Sequence, residues 1–428
     1  MHADAQTNHV PGFVASDRFF ELPLDYANPD RTIQVYAREV VAPDKAGKRL
    51  PYLVFFQGGP GFGSPRPPLG WISRALQEFR VLLLDQRGTA RSTPVTAQTL
   101  AGLADAEQAE YLAHFRADNI VRDAEAIRRQ LIGDAPWSIL GQSYGGWCAL
   151  NYLSFAPEGL EEVFITGGVP PLARSADEIY RATYPRVIAK NRQYYQRYPG
   201  DIERVRDIVR HLEQHEVIMP SGGRLSADRF RQLGMSFGMS DGFEAIHYLV
   251  EEAFVTTVRG ARVMNHNFLV HLEQAQAFDT NPIYTLLHEP IYSSGPATRW
   301  SAERIRAEFP QFAADADGPV LFTGEMVYPW MLDVYAQLVP LKGAAGLLAA
   351  KNDWPPMFDP ARLARNRVPI AAAVYFDDMY VHREFSEETA RAVPNLKTWI
   401  TNEYEHNGLR ADGARILERL MGMARGSI

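Results

Sequence analysis

The chain has 428 residues, 46% of them hydrophobic, a formal charge of −7 at pH 7 and one cysteine. This length predicts two domains or one core with a large insertion, and the single cysteine excludes an internal disulfide framework and a multi-cysteine zinc site. The negative charge and the lack of a lysine/arginine block argue against nucleic acid as the main partner. Because residues 1–6 are polar and no apolar run is long enough to span a membrane, we expect no signal peptide, no membrane association and a cytoplasmic location.

Strand and helix patterns alternate over the first 170 residues. Asn28-Pro29-Asp30 predicts a turn between the first two strands. The later apolar runs are short and continuous, which is typical of strands buried on both faces of a parallel sheet. In chain order, the predicted strands are 18–24, 32–41, 52–56, 81–84, 137–140 and 163–166, and the clearest helix is 119–131. This alternation favours a mainly parallel α/β sheet.

The pattern changes in the second part of the chain. Between about residues 171 and 355, charged and apolar positions alternate with helical spacing. Strand patterns return at 369–375 and 396–401, and a final helix follows them. We therefore predict one core built from residues 1–170 and 356–428, with a mostly helical insertion at 171–355.

The pentapeptide Gly141-Gln142-Ser143-Tyr144-Gly145 fits the G-x-S-x-G pattern of a nucleophile elbow. A predicted strand precedes it and an apolar helix follows it, which is the context that such an elbow needs. The two glycines leave room for the close crossing of strand and helix. Ser143 is therefore the predicted nucleophile.

A serine hydroxyl needs a base to become a nucleophile, and the base needs an acid that orients it. In an elbow architecture, the acid follows a late strand and the histidine follows the last one. Asp377 and Asp378 come after the next-to-last predicted strand, and His406 comes after the last. His382 also follows the acids, but it is too near them in sequence to come from a separate loop. We predict Ser143, Asp378 and His406 as the triad, with Asp377 as the alternative acid.

A glycine-rich segment, Gln57-Gly58-Gly59-Pro60-Gly61, follows the predicted strand 52–56. Its backbone N–H groups can approach a substrate carbonyl, so we predict Gly58 as a substrate contact and Gly59 as a donor to the oxyanion. The N–H of Tyr144, the residue after the nucleophile, is the second predicted donor. A phosphate-binding loop is excluded, because the glycines do not fit G-x-G-x-x-G and Pro60 has no N–H.

Two further patterns point to structure rather than chemistry. His211 and His215 stand four residues apart on a predicted helix, which is a metal-ligand spacing, but the H-E-x-x-H pattern is not met. We interpret them as a solvated helix face and expect no metal site. Asp85-Gln86-Arg87-Gly88 follows a strand, and we interpret it as a turn whose arginine holds loops through hydrogen bonds.

Four stretches together resemble the proline iminopeptidase (prolyl aminopeptidase) family of α/β-hydrolase serine peptidases. Residues 57–61 are similar to the family's His-Gly-Gly-Pro-Gly motif, and residues 85–92 are similar to its Asp-Gln-Arg-Gly-x-Gly-x-Ser motif. Residues 141–146 are similar to its elbow, and residues 378–381 are similar to its acid loop. The acid loop favours Asp378 over Asp377. Gln57 and Ala90 depart from the commonest motifs and look like the larger-subunit branch of the family.

The resemblance implies an α/β-hydrolase fold, with a mainly parallel eight-stranded sheet flanked by helices and an inserted helical cap. It also implies removal of an N-terminal residue, preferentially proline, from short peptides with a free N-terminus, with no metal or organic cofactor. In this family, cap glutamates hold the free α-amino group. Glu289, in a Glu-x-x-Tyr pattern, and Glu325, flanked by glycine and aromatic residues, are the candidates, with Glu251 and Glu252 as alternatives.

Two other functions fit the same residues. A carboxylesterase would use the same triad, and a non-catalytic binding protein would keep the fold without the chemistry. The presence of Ser143, Asp378 and His406 argues against the second. The sequence leaves the oligomeric state and the preferred peptide length open.

Overall fold

The computed structural model describes residues 6–66, 70–313 and 317–428. The polar residues 1–5, which entered the prediction of no signal peptide, lie outside this part of the chain. The strands are β1 Thr7–Val10, β2 Phe13–Pro23, β3 Thr32–Val41, β4 Tyr52–Phe56, β5 Arg80–Asp85, β6 Trp137–Gln142, β7 Leu160–Thr166, β8 Phe254–Thr256, β9 Arg262–Met264, β10 Ile370–Tyr375 and β11 Leu396–Thr401.

The main sheet has the order β1-β2-β3-β5-β4-β6-β7-β10-β11. From β5 to β11 in this order, neighbouring strands run parallel, whereas β1, β2, β3 and β5 pair antiparallel. Every residue of β4 and β10 is buried, as their continuous apolar sequences predict. Because the carboxyl ends of parallel strands meet at one edge of a sheet, the loops after β6, β10 and β11 lie together. The predicted mainly parallel sheet is confirmed.

The main sheet contains nine strands in the described residues. The prediction of an eight-stranded sheet is therefore wrong. The unpredicted strand is β1, which pairs with β2 from Thr7 opposite Ser16 to Val10 opposite Phe13. All four of its residues are exposed. Backbone hydrogen bonding to β2 therefore forms this strand, and its sequence lacks the apolar alternation that a half-buried strand shows.

Sixteen α-helices are present in the described residues. They are α1 Gly70–Ala75, α2 Asp105–Ala113, α3 Ala117–Ile132, α4 Tyr144–Phe155, α5 Ala176–Arg197, α6 Asp201–Gln214, α7 Ala227–Arg231, α8 Gly242–Glu251, α9 His266–Gln274, α10 Pro282–Leu287, α11 Ser301–Arg306, α12 Met331–Val334, α13 Lys342–Ala350, α14 Pro360–Leu363, α15 Arg383–Ala392 and α16 Gly408–Arg425. No helix in this part of the chain is long and apolar enough to cross a membrane.

The side chains of β4 alternate between two hydrophobic cores, one on each face of the sheet. Leu53 and Phe55 belong to the core that α1 and α16 cover, where the rings of Phe55 and Trp71 stack at 4.7 Å. Val54 and Phe56 belong to the core that α3 and α4 cover. Helices on both faces therefore bury the sheet, and its carboxyl edge stays available for a site.

Residues 171–355, called the cap region below, contain α5 to α13 and the hairpin of β8 and β9. The described residues of this region add no strand to the main sheet. A capping box starts α5: the Glu178 N–H donates to Ser175 Oγ at 3.3 Å, and the Ser175 N–H donates to Glu178 Oε2 at 2.9 Å. The region is mostly helical, as its sequence pattern predicts.

Arg87 ties three parts of the core together from a fully buried position. Its guanidinium forms two hydrogen bonds with the Asp123 carboxylate, at 2.7 and 2.6 Å. It also donates to the backbone carbonyls of Pro23, Leu24 and His114 at 2.8–3.0 Å. These contacts agree with the interpretation of residues 85–88 as a structural turn.

Arg87→Met is expected to lower the free energy of unfolding by about 3–5 kcal/mol, because it leaves the buried Asp123 carboxylate without its cation. Urea unfolding followed by circular dichroism measures this change. Arg129→Met is the matched control, since the Arg129 side chain is 67% exposed, and surface changes of this kind stay within about 0.5 kcal/mol. Equal losses in the two variants would contradict the structural role of Arg87.

Candidate active site

Ser143 is the single residue between β6 and α4, and its backbone adopts the strained left-handed conformation with φ 53° and ψ −120°. Glycines make this sharp turn possible. A Cβ on Gly145 would lie 2.1 Å from the carbonyl oxygen of Phe56, and one on Gly146 would lie 1.7 Å from that of Gly168. Only glycine fits these close crossings, so the turn holds the Ser143 hydroxyl at the carboxyl edge of the sheet.

The structure brings the three predicted triad residues into one hydrogen-bonded line. Ser143 Oγ lies 2.9 Å from His406 Nε2, and His406 Nδ1 lies 2.7 Å from Asp378 Oδ2. The other carboxylate oxygen of Asp378 accepts the N–H groups of Tyr380 and Val381 at 2.8 and 3.1 Å. Asp378 is thus held as an acceptor for the Nδ1 proton, which leaves Nε2 free to accept the serine proton.

The alternative acid and histidine lie elsewhere. The Asp377 side chain is half exposed and lies 3.6 Å from Arg186. His382 Nδ1 lies 2.6 Å from the carboxylate of Glu384. Of the two neighbouring aspartates, Asp378 is the one that the loop after β10 directs to His406.

Burial alone would lower the pKa of His406, but nearby carboxylates reverse the effect and raise it above the usual histidine value. The largest of these contributions comes from Asp378, through its charge and its hydrogen bond, and Glu325 and Glu405 add to it. His406 is therefore a stronger proton acceptor than a histidine in water.

The glycine-rich segment after β4 runs directly against the predicted nucleophile. A Cβ on Gly58 would lie 3.0 Å from Ser143 Cβ, and Gly59 has a φ of +130°, which glycine adopts readily. Both glycines line the same cavity as Ser143. Tyr144 is the first residue of α4, so its N–H has no acceptor inside the helix. The two predicted oxyanion donors thus flank the serine.

The turn after β5 holds this segment in place from behind. Gln86 Nε2 donates to the carbonyl oxygen of Gln57 at 3.1 Å. The buried carboxylate of Asp85 accepts the Ser64 N–H at 2.8 Å and pairs with Arg66 at 2.7 Å. These contacts fix both ends of the glycine-rich segment and therefore the direction of its N–H groups.

A cavity of about 600 Å³ opens over Ser143 and His406, a size suited to a small organic ligand. Among the described residues that line it, the charged side chains other than the histidine are Glu325 and Arg410. Its other large side chains are mostly apolar or aromatic: Phe55, Phe62, Trp71, Met235, Met239, Tyr284, Tyr380 and Leu409. The core and the cap region both contribute to its wall.

Glu325 places one carboxylate in this apolar cavity. Burial raises its pKa to about 7, although the hydrogen bond from Tyr284 and the charge of His406 oppose the shift. The Tyr284 hydroxyl donates to Glu325 Oε1. No salt bridge to Glu325 occurs in the described part of the chain, so this carboxylate is suited to bind a cationic group of a ligand.

Glu289, the other predicted amine ligand, does not line the cavity. It is buried, and its two carboxylate oxygens accept the N–H groups of Ser301 and Ala302 at 3.0 and 2.9 Å. The residue before α11, Trp300, has a left-handed backbone and no side-chain cap. Glu289 therefore supplies the cap of α11, and the structure does not support its predicted role as a substrate ligand.

The remaining sequence candidates also lie outside the cavity. Glu251 pairs with Arg204 at 3.4 Å, and Glu252 is the exposed residue that follows α8. The rings of His211 and His215 stack at 4.3 Å. Over residues 6–66, 70–313 and 317–428, no group of three or more histidine, cysteine, aspartate or glutamate side chains could hold a metal ion.

Comparison with known proteins decides the family. A family model described as alpha/beta hydrolase fold matches residues 51–221. A proline iminopeptidase of Aeromonas sobria is 51% identical over 420 residues, which cover 97% of this chain and 98% of the relative. The chain belongs to the proline iminopeptidase family. The family resemblance and the α/β-hydrolase fold predicted from the sequence are thereby confirmed.

The chain is also similar to a second relative and to a solved structure. A proline iminopeptidase of Aspergillus aculeatus is 36% identical over 425 residues, covering 94% of this chain and 92% of the relative. The structure of a thermophilic esterase from Thermogutta terrifontis covers 96% of this chain and 98% of that one, with 15% identity and a TM-score of 0.41.

Two residues of the cavity wall, Tyr284 and Arg410, were not predicted from the sequence. Tyr284 lies 41 residues before Glu325, its hydrogen-bond partner, and no local pattern relates the two. Arg410 follows His406 by four residues on the first turn of α16. Because α16 begins two residues after His406, the nearness of the two residues in the sequence could have identified Arg410.

Asp378→Asn is expected to lower kcat on a prolyl amide by about 10³–10⁴-fold, because the amide no longer holds His406 in the required tautomer. Asp377→Asn is the matched control, and we expect it to keep most of the wild-type rate. Steady-state hydrolysis of a chromogenic proline amide measures both variants. An equal loss in both variants, or a larger loss in Asp377→Asn, would rule out Asp378 as the acid.

Proposed function

We propose that this protein is a serine exopeptidase that releases N-terminal proline from short peptides with a free N-terminus through an acyl-enzyme. The observation that carries the proposal is the contact between Ser143 Oγ and His406 Nε2 at 2.9 Å, in a cavity whose anionic group is Glu325. Membership in the proline iminopeptidase family supports the same activity.

The first half-reaction forms the acyl-enzyme. His406 Nε2 takes the Ser143 hydroxyl proton as Oγ attacks the carbonyl carbon of the N-terminal residue, and Asp378 stabilises the imidazolium. The N–H groups of Gly59 and Tyr144 donate to the oxyanion of the tetrahedral intermediate. The carbon–nitrogen bond then breaks, and His406 gives its proton to the nitrogen of the leaving peptide. The product is a prolyl ester of Ser143.

The second half-reaction releases proline. A water molecule enters where the leaving peptide was, and His406 takes one of its protons as the oxygen attacks the ester carbon. The same two N–H groups stabilise the second oxyanion. The ester bond breaks, Ser143 regains its proton from His406, and free proline leaves.

Selectivity for a terminal residue comes from Glu325 in this proposal. An N-terminal proline carries a cationic secondary amine, and a carboxylate in an apolar cavity binds such a group strongly. Gly58 allows the substrate backbone to approach Ser143, since a side chain there would collide with the Gln142 side chain and crowd the serine. The apolar wall excludes water from the proline ring.

The proposal also assigns the two parts of the chain different tasks. Residues 1–170 and 356–428 form the hydrolase core and carry the triad, and the cap region at 171–355 supplies the amine ligand. We further propose a cytoplasmic location, which agrees with a chain that has one cysteine and no disulfide framework.

Glu325→Gln is expected to raise KM for a proline amide by about tenfold or more, because a charge-assisted contact to the amine is lost. Glu289→Gln is the matched control in the cap region: it removes a buried carboxylate outside the cavity, so it is expected to lower stability more than it changes KM. Initial rates with both variants, beside thermal unfolding, separate the two effects. An unchanged KM in Glu325→Gln would exclude it as the amine ligand.

Two substrates and one variant test the function itself. Wild type is expected to cleave a proline amide and to leave its N-acetylated form intact, because acetylation removes the cationic amine. Ser143→Ala is expected to release no proline above the uncatalysed background. Equal hydrolysis of the blocked and free substrates, together with rapid hydrolysis of short acyl esters, would identify a carboxylesterase instead.

The pH dependence follows from two groups that must each lose a proton. His406 must be neutral to act as a base, and its pKa lies above the usual histidine value. Glu325 must be ionised to bind the amine, and its pKa is raised to about 7. Both requirements fail as the pH falls, so log(kcat/KM) is expected to fall below pH ~6 with a slope of about two. Glu325→Gln is expected to reduce that slope to about one, and an unchanged slope would contradict the assignment.

A further inference from the structure

Among the described residues that line the cavity, Arg410 is the only arginine or lysine. The backbone between His406 and Arg410 forms tight turns: the Gly408 N–H donates to the Glu405 carbonyl at 3.1 Å, and the Arg410 N–H donates to the Asn407 carbonyl at 2.9 Å. Arg410 therefore lies about one turn of chain beyond His406.

Asn407 adds a second donor on the same wall. Its Oδ1 already accepts the N–H and the hydroxyl of Ser240, at 3.0 and 2.8 Å. The Nδ2 amide is thus the part of this side chain left for a ligand in the cavity. An arginine has donors and no acceptor. Asn407 and Arg410 together present hydrogen-bond donors, which suits an anion.

The position of the leaving peptide indicates which part of a substrate reaches Asn407 and Arg410. His406 gives its proton to the nitrogen of the leaving peptide, so that peptide lies beside His406. Each further residue extends a peptide by at most about 3.5 Å, and one helical turn spans about 5.4 Å. The C-terminal carboxylate of a dipeptide or tripeptide therefore comes within reach of the long Arg410 side chain.

Asp241, the present partner of Arg410, does not block such a contact. The two groups lie 3.4 Å apart, and their side chains are 64% and 74% exposed. An ion pair this exposed contributes little, so a substrate carboxylate can replace or share it.

We propose that Arg410, assisted by Asn407, binds the free C-terminal carboxylate of the substrate, so that the enzyme selects dipeptides and tripeptides over longer or C-terminally amidated peptides. This inference rests on the proposed function and names the substrate class of that site. Glu325 and Arg410 then match the two opposite charges of a short peptide, one on each side of the bond that is cleaved.

If Arg410 had only a structural role, its removal would have a different effect on peptide cleavage. The cap segment 238–241 contacts the loop after β11 at three points: Gly238 accepts the His406 N–H at 3.1 Å, Ser240 binds Asn407, and Asp241 pairs with Arg410. If the last pair only fastened the cap region to the core, removal of either partner would have the same effect, whatever the charge at the substrate's C-terminus.

The test compares Pro-Gly-Gly with Pro-Gly-Gly-amide, which differ in the C-terminal charge alone, by measuring release of proline. Wild type is expected to favour the free acid by about tenfold in kcat/KM, chiefly through KM. Arg410→Gln is expected to lose most of this preference, and Asp241→Asn to keep or increase it. Arg415→Gln, a half-exposed arginine on the same helix that pairs with Glu403 at 2.8 Å, is the matched control and is expected to keep the wild-type preference.

Two other sets of results would overturn the proposal. Equal cleavage of the two peptides by wild type, or equal losses on both peptides in Arg410→Gln and Asp241→Asn, would overturn the carboxylate proposal and leave the exopeptidase function intact. Failure of the wild-type protein to release proline from either peptide and from a proline amide would overturn the proposed function and this inference with it.

Discussion

The hydrogen-bonded line from Ser143 through His406 to Asp378 depends on the parallel register of the sheet. Ser143 and His406 are 263 residues apart in the chain. They meet because β6, β10 and β11 end at the same edge, with β7 between β6 and β10. β10 and β11 pair in register from Ile370 opposite Leu396 to Tyr375 opposite Thr401. A change in this register would separate the acid from the base.

Four carboxylates inside this protein, three of them buried and Glu325 partly buried, differ in their partners. This difference separates the structural groups from the proposed binding group. Asp378 accepts two backbone N–H groups and contacts His406. Glu289 has both oxygens occupied by the start of α11. Asp123 is neutralised by Arg87. Glu325 accepts the Tyr284 hydroxyl and forms no salt bridge with a described residue, so it is the one of these four carboxylates with unused capacity for a charged ligand.

The cap region packs on the core next to the proposed oxyanion donors. A Cβ on Gly61 would lie 2.9 Å from the Tyr284 backbone nitrogen, so α10 packs directly on the glycine-rich segment. The ring of Phe62 meets that of Tyr284 edge-on at 5.0 Å. Tyr284 in turn holds Glu325. The group proposed to bind the amine and the segment proposed to donate to the oxyanion are thus positioned by the same contact.

The amino-acid sequence is sufficient to predict the features of this protein that depend on local pattern. Apolar runs predicted the buried strands, and the glycines of the elbow indicated Ser143 as the candidate nucleophile. The order of strands reduced the candidate acids to Asp377 and Asp378 and indicated His406 as the candidate base. These features are readable because steric limits and hydrophobic periodicity act over a few residues.

Features that depend on contacts between distant segments required the three-dimensional fold. It added β1, which backbone pairing forms without an apolar pattern, and it separated Glu325 in the cavity from Glu289 at a helix cap. Both glutamates stand in apolar, aromatic sequence surroundings, so their neighbours in the chain could not distinguish them. Burial and hydrogen-bond partners could, because these are set by the packing of segments far apart in the sequence.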